Sequence, residues 1–333
     1  MRVVDVHNHY VPSALVEDAR KGAAIDGLEI AVVDGAEWLV HRQGFRYPLP
    51  VAFHDMEARL ASMDDLAVEH AVVSIAPTLF LYWADPTETI DFCRAANDSL
   101  ARFAAASGGR VTAVATLPMQ APDAAVKELH RAVGELDLVG AEIGPAVEGT
   151  PLDHPAMRPV LNAASELRVP LILHPYYVGP RQGLSDFYLV NLIGNPLETT
   201  VCAARLILSG TLDELERLEL VLMHGGGYLP YQIGRLDHGH LVRPEARACR
   251  RPPSAYLDRF AYDTLTHAPR PLEFLVDLVG AERVVFGTDF PFDMGGGSFD
   301  QQLAGVGLDP GQREQVAWRT AARLFRLPPA GQR

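Results

Sequence analysis

Val3-Val-Asp-Val-His-Asn-His9 is the stretch around which the rest of the chain is organised. Its valines predict a short buried strand, and His7 and His9 stand two residues apart at the end of that strand. Because side chains alternate across a strand, both imidazoles should point to one side and Asn8 to the other. Two neutral imidazoles directed at one point can begin a metal site, whereas a solvated pair of histidines is the plainer interpretation. The rest of the chain has to decide between the two.

The composition limits the classes of protein to consider. Of 333 residues, 48% are hydrophobic, which is ample for a buried core, and the net charge of −13 without a basic stripe disfavours nucleic acid as a partner. Cys93, Cys202 and Cys249 lack C-x-x-C spacing, so no disulfide framework is expected. The N-terminus does not resemble a signal peptide, and no apolar stretch reaches transmembrane length. We therefore expect a cytoplasmic protein without a membrane partner.

Short apolar segments alternate with helical segments along the chain. The predicted strands after the first cover residues 70–76, 111–117, 138–144, 169–174, 218–224, 260–264 and 283–289. The predicted helices cover residues 56–66, 87–106, 123–136, 156–167, 196–209, 211–217, 229–242, 271–279 and 310–324. Near-continuous apolar strands between helices indicate an α/β fold whose parallel sheet is covered on both faces.

Eight such units predict a closed (β/α)8 barrel, the TIM barrel, as a single domain over residues 1–333. An open doubly wound sheet is the alternative, but the first βα turn lacks the G-x-G-x-x-G pattern of that class. Between strand one and the first regular helix, Leu28–Val33 and Glu37–His41 flank Asp34-Gly35, a strong hairpin signal. We expect a small β-hairpin insertion at about residues 25–50 that carries Arg46 over the mouth of the barrel.

Polar residues at the carboxyl ends of barrel strands converge on one mouth. The strand ends of this sequence carry five residues that could bind a metal: His7, His9, His174, His224 and Asp289. A single histidine at a strand end more often caps a loop than binds an ion. Five such residues, at strands one, five, six and eight, predict a metal site.

The types of ligand indicate the metal and its chemistry. Nitrogen and carboxylate donors without thiolate suit Zn²⁺, with Mn²⁺ or Fe²⁺ as alternatives. Three imidazoles and one carboxylate complete a tetrahedron, so a catalytic ion must also admit water or loosen one bond. Zinc-bound water loses a proton near neutral pH and becomes a nucleophile. His224 is then best placed outside the direct ligands, as the base that takes this proton.

The near absence of lysine argues for one metal ion rather than two. Lys21 and Lys127 are the only lysines, and both lie away from the predicted strand ends. The chain therefore has no strand lysine to carbamylate as a bridge between two metals, and none for a Schiff base. The corresponding residue of strand four is Glu142, which we interpret as a hydrogen-bond acceptor inside the barrel rather than a second metal ligand.

Arginines and aromatic residues bear on the substrate. Arg46 and Arg235 could each hold a carboxylate in fork geometry, although a lone surface arginine is more often simply solvated. Aromatic residues in loops after strands could wall an aromatic or polyene substrate, or serve only in packing. They are Tyr82, Tyr176, Phe187 and Phe292.

Several of these stretches together resemble the amidohydrolase superfamily. They are Asp5-Val-His-Asn-His9, Leu173-His-Pro175, Met223-His-Gly-Gly-Gly227 and Gly287-Thr-Asp-Phe-Pro-Phe292. Further stretches narrow the resemblance to the decarboxylase branch typified by α-amino-β-carboxymuconate-ε-semialdehyde decarboxylase. They include Gly44-Phe-Arg46, residues 77–82, Leu206-Ile-Leu-Ser-Gly210, Gly234-Arg-Leu-Asp237 and Arg251-Pro-Pro-Ser254.

The resemblance implies a role for each site residue. One Zn²⁺ per subunit would be held by His7, His9, His174 and Asp289, together with a water. His224 would be the acid/base that activates the water, with Asp289 assisting. Arg46 would bind a substrate carboxylate, and Arg235 would do so from the partner subunit of a homodimer. Relatives with E-x-H on strand one decarboxylate hydroxybenzoates with manganese. The histidine at position 7 instead indicates the zinc-dependent group.

The implied activity is that of a carboxy-lyase. The chain would release CO2 from an unsaturated or aromatic carboxylic acid without redox chemistry, a reaction typical of aromatic catabolism. The alternative on the same site is a metal-dependent hydrolase or hydratase acting on a C–C bond, amide or lactone. The segment 176–182 and Phe187 occupy the place of the family's pocket loop but depart from its sequence, so the substrate is the less determined part.

Overall fold

The structure is a computed structural model that describes residues 1–176 and 182–327. Its strands are β1 (Val4–Tyr10), β2 (Glu29–Val33), β3 (Ala36–Val40), β4 (Arg46–Pro48), β5 (His70–Ile75), β6 (Val111–Ala113), β7 (Ala115–Thr116), β8 (Ala141–Ile143), β9 (Ala146–Val147), β10 (Thr150–Pro151), β11 (Leu171–Leu173), β12 (Leu220–Leu222), β13 (Phe260–Asp263) and β14 (Val284–Val285).

Its α-helices are α1 (Ser13–Arg20), α2 (Met56–Asp65), α3 (Pro86–Ala106), α4 (Pro122–Glu135), α5 (Arg158–Leu167), α6 (Asn195–Leu208), α7 (Thr211–Glu214), α8 (Leu229–Val242), α9 (Pro269–Val279), α10 (Phe299–Gln302), α11 (Pro310–Glu314) and α12 (Thr320–Leu324). Helix starts follow local chemistry: the Asp55 and Asp85 carboxylates accept backbone N–H groups of the first turns of α2 and α3. The predicted helix 310–324 is divided by a π-helical turn, Gln315–Arg319. No helix in the described ranges is long and apolar enough to cross a membrane.

Two parallel sheets form the centre of the molecule. One has the order β1-β5-β6, and the other has the order β14-β13-β12-β11-β8-β7. Only Val114 separates β6 from β7, and its N–H donates to the Val73 carbonyl at 3.0 Å. At the other edge, the Val6 N–H donates to the Phe286 carbonyl at 3.0 Å. The α/β class predicted from the sequence is confirmed, with strands that neighbour one another in chain order.

A β-bulge in β1 directs the first two histidines. Val4 and Val6 belong to a buried apolar cluster that also takes residues from the other parallel strands and from the C-terminal segment: Val72, Val114, Ile172, Val221, Ala261, Val285, Leu324 and Phe325 among them. In a regular strand His7 and His9 would face away from this cluster. The pairing of β1 with β5 shifts by one residue between Asp5 and Asn8. Such an extra residue re-aims the side chains that follow it, and the sequence analysis did not foresee it.

The segment after α1 forms a small separate sheet. β2 and β3 pair antiparallel, with Val33 opposite Ala36, and β4 adds a third strand on which Arg46 pairs with Val40. Asp34 and Gly35 make the turn with φ of 51° and 81°, the left-handed backbone that a tight hairpin requires. This sheet is one strand larger than the hairpin expected from the sequence.

Candidate metal centre

Four side chains meet where the parallel strands end. His7 and His9 lie on β1, His174 follows β11, and Asp289 lies beyond β14. One donor atom from each lies within 4.8 Å of the donor atoms of the other three, and all four residues are buried. The structure therefore brings together the four residues that the sequence analysis assigned to a metal.

Hydrogen bonds at the far side of two imidazoles fix where their protons lie. His7 Nδ1 donates to Asp263 Oδ2 at 2.5 Å, and His174 Nδ1 donates to the Pro175 carbonyl at 2.6 Å. A neutral imidazole has only one N–H, so each Nε2 is left with a lone pair. These two Nε2 atoms lie 3.0 Å apart. Two lone pairs at this distance repel unless a positive charge lies between them, so the donor set fits a cation.

The carboxylate completes the group of donors. Asp289 Oδ1 lies 3.0 Å from His9 Nε2 and 3.3 Å from His7 Nε2. Burial alone would raise the pKa of Asp289, but the neighbouring imidazoles of His7, His224 and His9 hold that pKa well below its usual range. Asp289 is thus a full negative charge in a buried site, as a ligand to a divalent cation should be.

The imidazoles respond to their surroundings in opposite directions. Burial lowers the pKa of His174 well below its usual value, and the neighbouring imidazoles lower it further. Burial also lowers the pKa of His9, to about 4. For His7 burial acts in the same direction, but the carboxylates of Asp289 and Asp263 outweigh it and raise the pKa. The carboxylates of Asp263 and Asp289 therefore favour a positive charge at His7, which a cation on its Nε2 would supply.

His224 lies at the edge of this group. It follows β12, and its Nε2 lies 3.8 Å from Asp289 Oδ2. Its ring centroid lies 5.0 Å from that of His174, and its side chain is 15% exposed. The backbone of His224 has φ of 58°, a strained conformation that recurs at functional sites. Three glycines follow, and at Gly227 a Cβ would lie 2.2 Å from the Pro196 carbonyl oxygen, so only glycine fits the turn.

A cavity of about 590 Å³ opens beside His224 and Asp289. Its other walls come from α8, from α9 and from the residues that precede α6, α8 and α9, including Leu192, Tyr228, Tyr231, His267, Arg270 and Phe274. Arg270 is the one arginine or lysine among these wall residues of the described chain. The cavity thus gives a mainly apolar molecule access to the histidine and carboxylate.

The structure places the expected substrate residues away from the walls of that cavity. Arg46 is exposed on β4 with its guanidinium 5.5 Å from the centre of the Trp38 ring, and Arg235 is exposed on α8. Phe187 is 87% exposed. Residues 177–181 of the expected pocket loop lie outside the described residues.

Of the remaining three aromatic candidates, Tyr82 and Tyr176 are buried and Phe292 is partly buried. Tyr82 and Tyr176 are 2% and 3% exposed and contact each other edge to face. Each hydroxyl accepts a backbone N–H, from Gly144 and Glu148 respectively. Phe292 packs against His9 with 5.3 Å between ring centroids, and so lies beside the metal ligands. Of the six expected substrate residues, Phe292 is the one with a ring contact to a candidate ligand.

Sequence reasoning missed a layer of supporting residues. Asp5 accepts the backbone N–H of His7 and the hydroxyl of Thr288. The buried guanidinium of Arg59 donates to the His9 carbonyl. Asp263, at the end of β13, bonds His7. Only Asp263 carried a usable signal, because it is a polar residue ending a predicted strand.

Glu142 lies inside the molecule, in register with Ile172 of the inner apolar cluster. It is 1% exposed, and burial raises the pKa of its carboxyl to about 8 although the charge of His7 and a hydrogen bond with Ser74 act against this. Its Oε2 atom has no hydrogen-bond partner among the described residues. A neutral interior carboxyl agrees better with the hydrogen-bonding role predicted for Glu142 than with a second metal.

Comparison with known proteins agrees with this site. The amidohydrolase family matches residues 4–327. The 2-amino-3-carboxymuconate-6-semialdehyde decarboxylase of Dictyostelium discoideum is 33% identical over 243 residues, 72% of this chain and 68% of that protein. The gamma-resorcylate decarboxylase of a Rhizobium species is 34% identical over 289 residues, 81% of this chain and 87% of that protein.

The chain belongs to the amidohydrolase family, and its predicted resemblance to the decarboxylase branch is confirmed. A solved dihydroxybenzoic acid decarboxylase from Polaromonas sp. JS666, with bound manganese and the inhibitor 2-nitroresorcinol, superposes with a TM-score of 0.77. It is 25% identical, and the match covers 98% of this chain and 97% of that one. The carboxy-lyase class predicted from the sequence agrees with the names of these relatives.

Proposed function

We propose that this protein is a metal-dependent, non-oxidative decarboxylase of an unsaturated or aromatic carboxylic acid. The observation that carries the proposal is the pair of Nε2 atoms of His7 and His174, 3.0 Å apart, beside Asp289, which lines the cavity. The named relatives, which act on a carboxymuconate semialdehyde and on gamma-resorcylate, support decarboxylation over other reactions of such sites. We further propose that the parallel strands close into a (β/α)8 barrel, with residues 1–333 as one domain and an insertion at about residues 25–50.

His7, His9, His174 and Asp289 would hold the ion, one per chain. A divalent cation bound there would act as a Lewis acid and lower the pKa of a water molecule. Three nitrogen donors and one carboxylate suit Zn²⁺, which we propose as the resident ion. Mn²⁺ is the alternative, supported by the manganese bound in the relative from Polaromonas.

His224, assisted by Asp289, would hold and transfer the proton that the reaction requires. In a non-oxidative decarboxylation the C–COO⁻ bond breaks, CO2 leaves, and a proton takes its place on carbon. His224 lines the cavity, and its Nε2 faces the Asp289 carboxylate, so this nitrogen can hold the proton and deliver it to the substrate. The Asp289 carboxylate, 3.8 Å away, would orient this nitrogen while the substrate binds.

Substrate binding is proposed to involve a second copy of the chain. Arg235 is exposed on α8, the helix that also supplies Tyr231 to the cavity wall, and Tyr231 is 79% exposed. In a homodimer Arg235 could reach the neighbouring site and hold a substrate carboxylate in fork geometry. Arg46 on the insertion would hold it from within the same chain, with Phe292 beside the metal ligands and the exposed Phe187 shaping the pocket.

A CO2-release assay tests the proposal against hydrolysis or hydration on the same site. Metal-stripped protein is reloaded with Zn²⁺ or Mn²⁺ and supplied with 2-amino-3-carboxymuconate-6-semialdehyde or gamma-resorcylate, the substrates named for the relatives. We expect CO2 and the protonated product in equal amounts, and none from the metal-stripped control. Failure to release CO2 from a panel of such acids, together with opening of amides or lactones, would overturn the decarboxylase in favour of the hydrolase.

A further inference from the structure

Asp263 is a buried carboxylate at the end of β13 with three hydrogen-bond donors around it. Its Oδ2 accepts His7 Nδ1–H at 2.5 Å. Its Oδ1 accepts the backbone N–H of Gly225 at 2.6 Å and that of Leu265 at 3.2 Å. Its side chain is 0% exposed. Every one of these donors is a fixed group, so the carboxylate is held in one orientation.

The first contact sets the tautomer of a metal ligand. Because Asp263 Oδ2 can only accept, the proton of neutral His7 stays on Nδ1, and the lone pair of Nε2 points toward His174 and Asp289. A carboxylate behind a ligand imidazole also makes the imidazole a stronger electron donor. His9 and His174 have weaker partners at the equivalent atom, a serine hydroxyl and a backbone carbonyl.

The hydrogen bond from Gly225 N–H to Asp263 acts on the proposed acid/base, His224. Gly225 directly follows His224, and both residues have positive φ, 61° and 58°. The bond from Gly225 N–H to Asp263 therefore anchors the strained turn that presents the His224 ring to the cavity. His224 Nδ1 has no hydrogen-bond partner among the described residues, so the imidazole is held by this turn together with the contact of its Nε2 with Asp289.

We propose that Asp263 is a positioning residue that ties the metal ligand His7 and the acid/base His224 to one carboxylate. The inference rests on the proposed metal-dependent function and extends it to a residue on strand β13, outside the four candidate ligands. Neither contact puts Asp263 on the substrate. Its effect is to set where the His7 proton lies and how the turn after β12 is held.

Asp263→Asn replaces one of the two acceptor oxygens of the carboxylate by an NH2 group. Because asparagine has only one acceptor oxygen, its side chain cannot accept hydrogen bonds from both His7 Nδ1–H and Gly225 N–H as the two carboxylate oxygens do. With the NH2 toward His7, the imidazole must move its proton to Nε2, the atom that should bind metal. With the NH2 toward Gly225, two donors face each other. Either arrangement should weaken the site while changing almost no volume.

The first measurement is Zn²⁺ affinity by competition with a chromogenic chelator, without substrate. We expect binding 10–100-fold weaker in Asp263→Asn, the range typical of lost partners behind metal ligands. The matched control is Asp213→Asn, because Asp213 likewise accepts a side-chain hydroxyl, from Tyr256, and a backbone N–H, from Arg250. The control should bind Zn²⁺ as the wild type does. Equal affinity in Asp263→Asn would overturn the proposal.

The second measurement needs no variant at position 263 and therefore does not depend on how well Asp263→Asn folds. ¹⁵N-histidine NMR of the wild type, with His7→Gln to assign the signal, reads which ring nitrogen carries the proton. We expect a protonated, strongly hydrogen-bonded Nδ1 on His7, and a proton on Nε2 instead would overturn the proposal. Both measurements are independent of turnover, so wild-type protein that binds Zn²⁺ but releases no CO2 would count against the decarboxylase alone.

Discussion

The Nε2 atoms of His7 and His174 face each other at 3.0 Å, each on an imidazole whose other nitrogen donates to an oxygen. This relationship turns a cluster of polar residues into a candidate metal centre, because only a positive charge can occupy the space between two lone pairs. His224 is placed differently from these ligands. Its Nε2 lies 3.8 Å from Asp289 Oδ2, and its ring lines the cavity.

Removing His224 should abolish turnover without releasing the metal. In His224→Ala we expect kcat to fall by about 10²–10⁴-fold, the usual contribution of a general acid/base, with Zn²⁺ affinity preserved. Metal analysis and CO2 release on the same preparation measure both. His174→Ala is the contrasting variant, because it removes one of the two facing donors and should lose the metal. If His224→Ala loses its metal as well, His224 is a ligand.

Mixing two inactive variants tests whether the site is shared between subunits. Arg235→Ala lacks the proposed carboxylate anchor, and His224→Ala lacks the acid/base. After dissociation and reassociation, a homodimer with shared sites should regain roughly a quarter of wild-type activity, because half of the dimers are mixed and each has one intact site. Mixtures that stay inactive although mixed dimers form would show that Arg235 does not cross to the neighbouring site.

Gly287 allows β14 and the loop after it to lie against the His7–Asp263 pair. A Cβ at this position would lie 2.6 Å from His7 Cβ and 3.1 Å from Asp263 Cβ. Gly287→Ala should therefore destabilise the protein by about 1–3 kcal/mol, as overpacking does, and weaken Zn²⁺ binding. Denaturant unfolding and chelator competition measure the two effects.

Gly239→Ala is the control for this substitution. Gly239 lies on α8, and a Cβ there would have nothing within 4 Å. The change should stabilise the helix by up to about 1 kcal/mol and leave metal affinity unaltered. If Gly287→Ala is as stable and binds Zn²⁺ as tightly as this control, the end of β14 has room for a Cβ and is not closely packed against His7 and Asp263.

Acid should destabilise the insertion through His41. This imidazole is 2% exposed and stacked on Phe45, neither ring nitrogen has a partner among the described residues, and burial lowers its pKa to about 3. The His41 imidazole has a pKa near 6.5 in the unfolded chain and about 3 in the folded chain. The unfolded chain therefore binds a proton that the folded chain does not, and the free energy of unfolding falls as pH drops below 6.5. At pH 5 the loss from this group should be roughly 2 kcal/mol.

His41→Phe should remove that part of the pH dependence while keeping the stack on Phe45. Denaturant unfolding at pH 8 and pH 5 gives the difference, with the same substitution at the exposed His130 on α4 as the control. Equal loss of stability in the wild type and in His41→Phe would show that the ring finds a partner when protonated.

The candidate ligands could be predicted because each obeys a local rule. His174 and Asp289 end apolar strands, and the His7-x-His9 spacing puts two rings on one side of β1. The parallel strands, most helices and the turn at Asp34-Gly35 followed from hydrophobic period and turn chemistry in the same way.

What could not be predicted depends on contacts between distant segments. The bulge in β1 arises from pairing with β5, and the role of Asp263 arises from its contacts with His7 and Gly225. Tyr82 and Tyr176 looked suitable for a pocket, yet both turn inward and bond backbone N–H groups. An aromatic residue after a strand fits packing and binding equally well, so only the structure distinguishes them. Arg270 was missed because its helix start gave no signal for a cavity wall.

CO2 release measured while metal-stripped protein is titrated with Zn²⁺ is the sharpest test of a single catalytic ion. We expect activity to rise in proportion to added metal and to stop at one ion per chain, since His7, His9, His174 and Asp289 form a single group of donors in the described structure. Activity that needs two ions per chain, or full activity in the metal-stripped protein, would contradict this expectation.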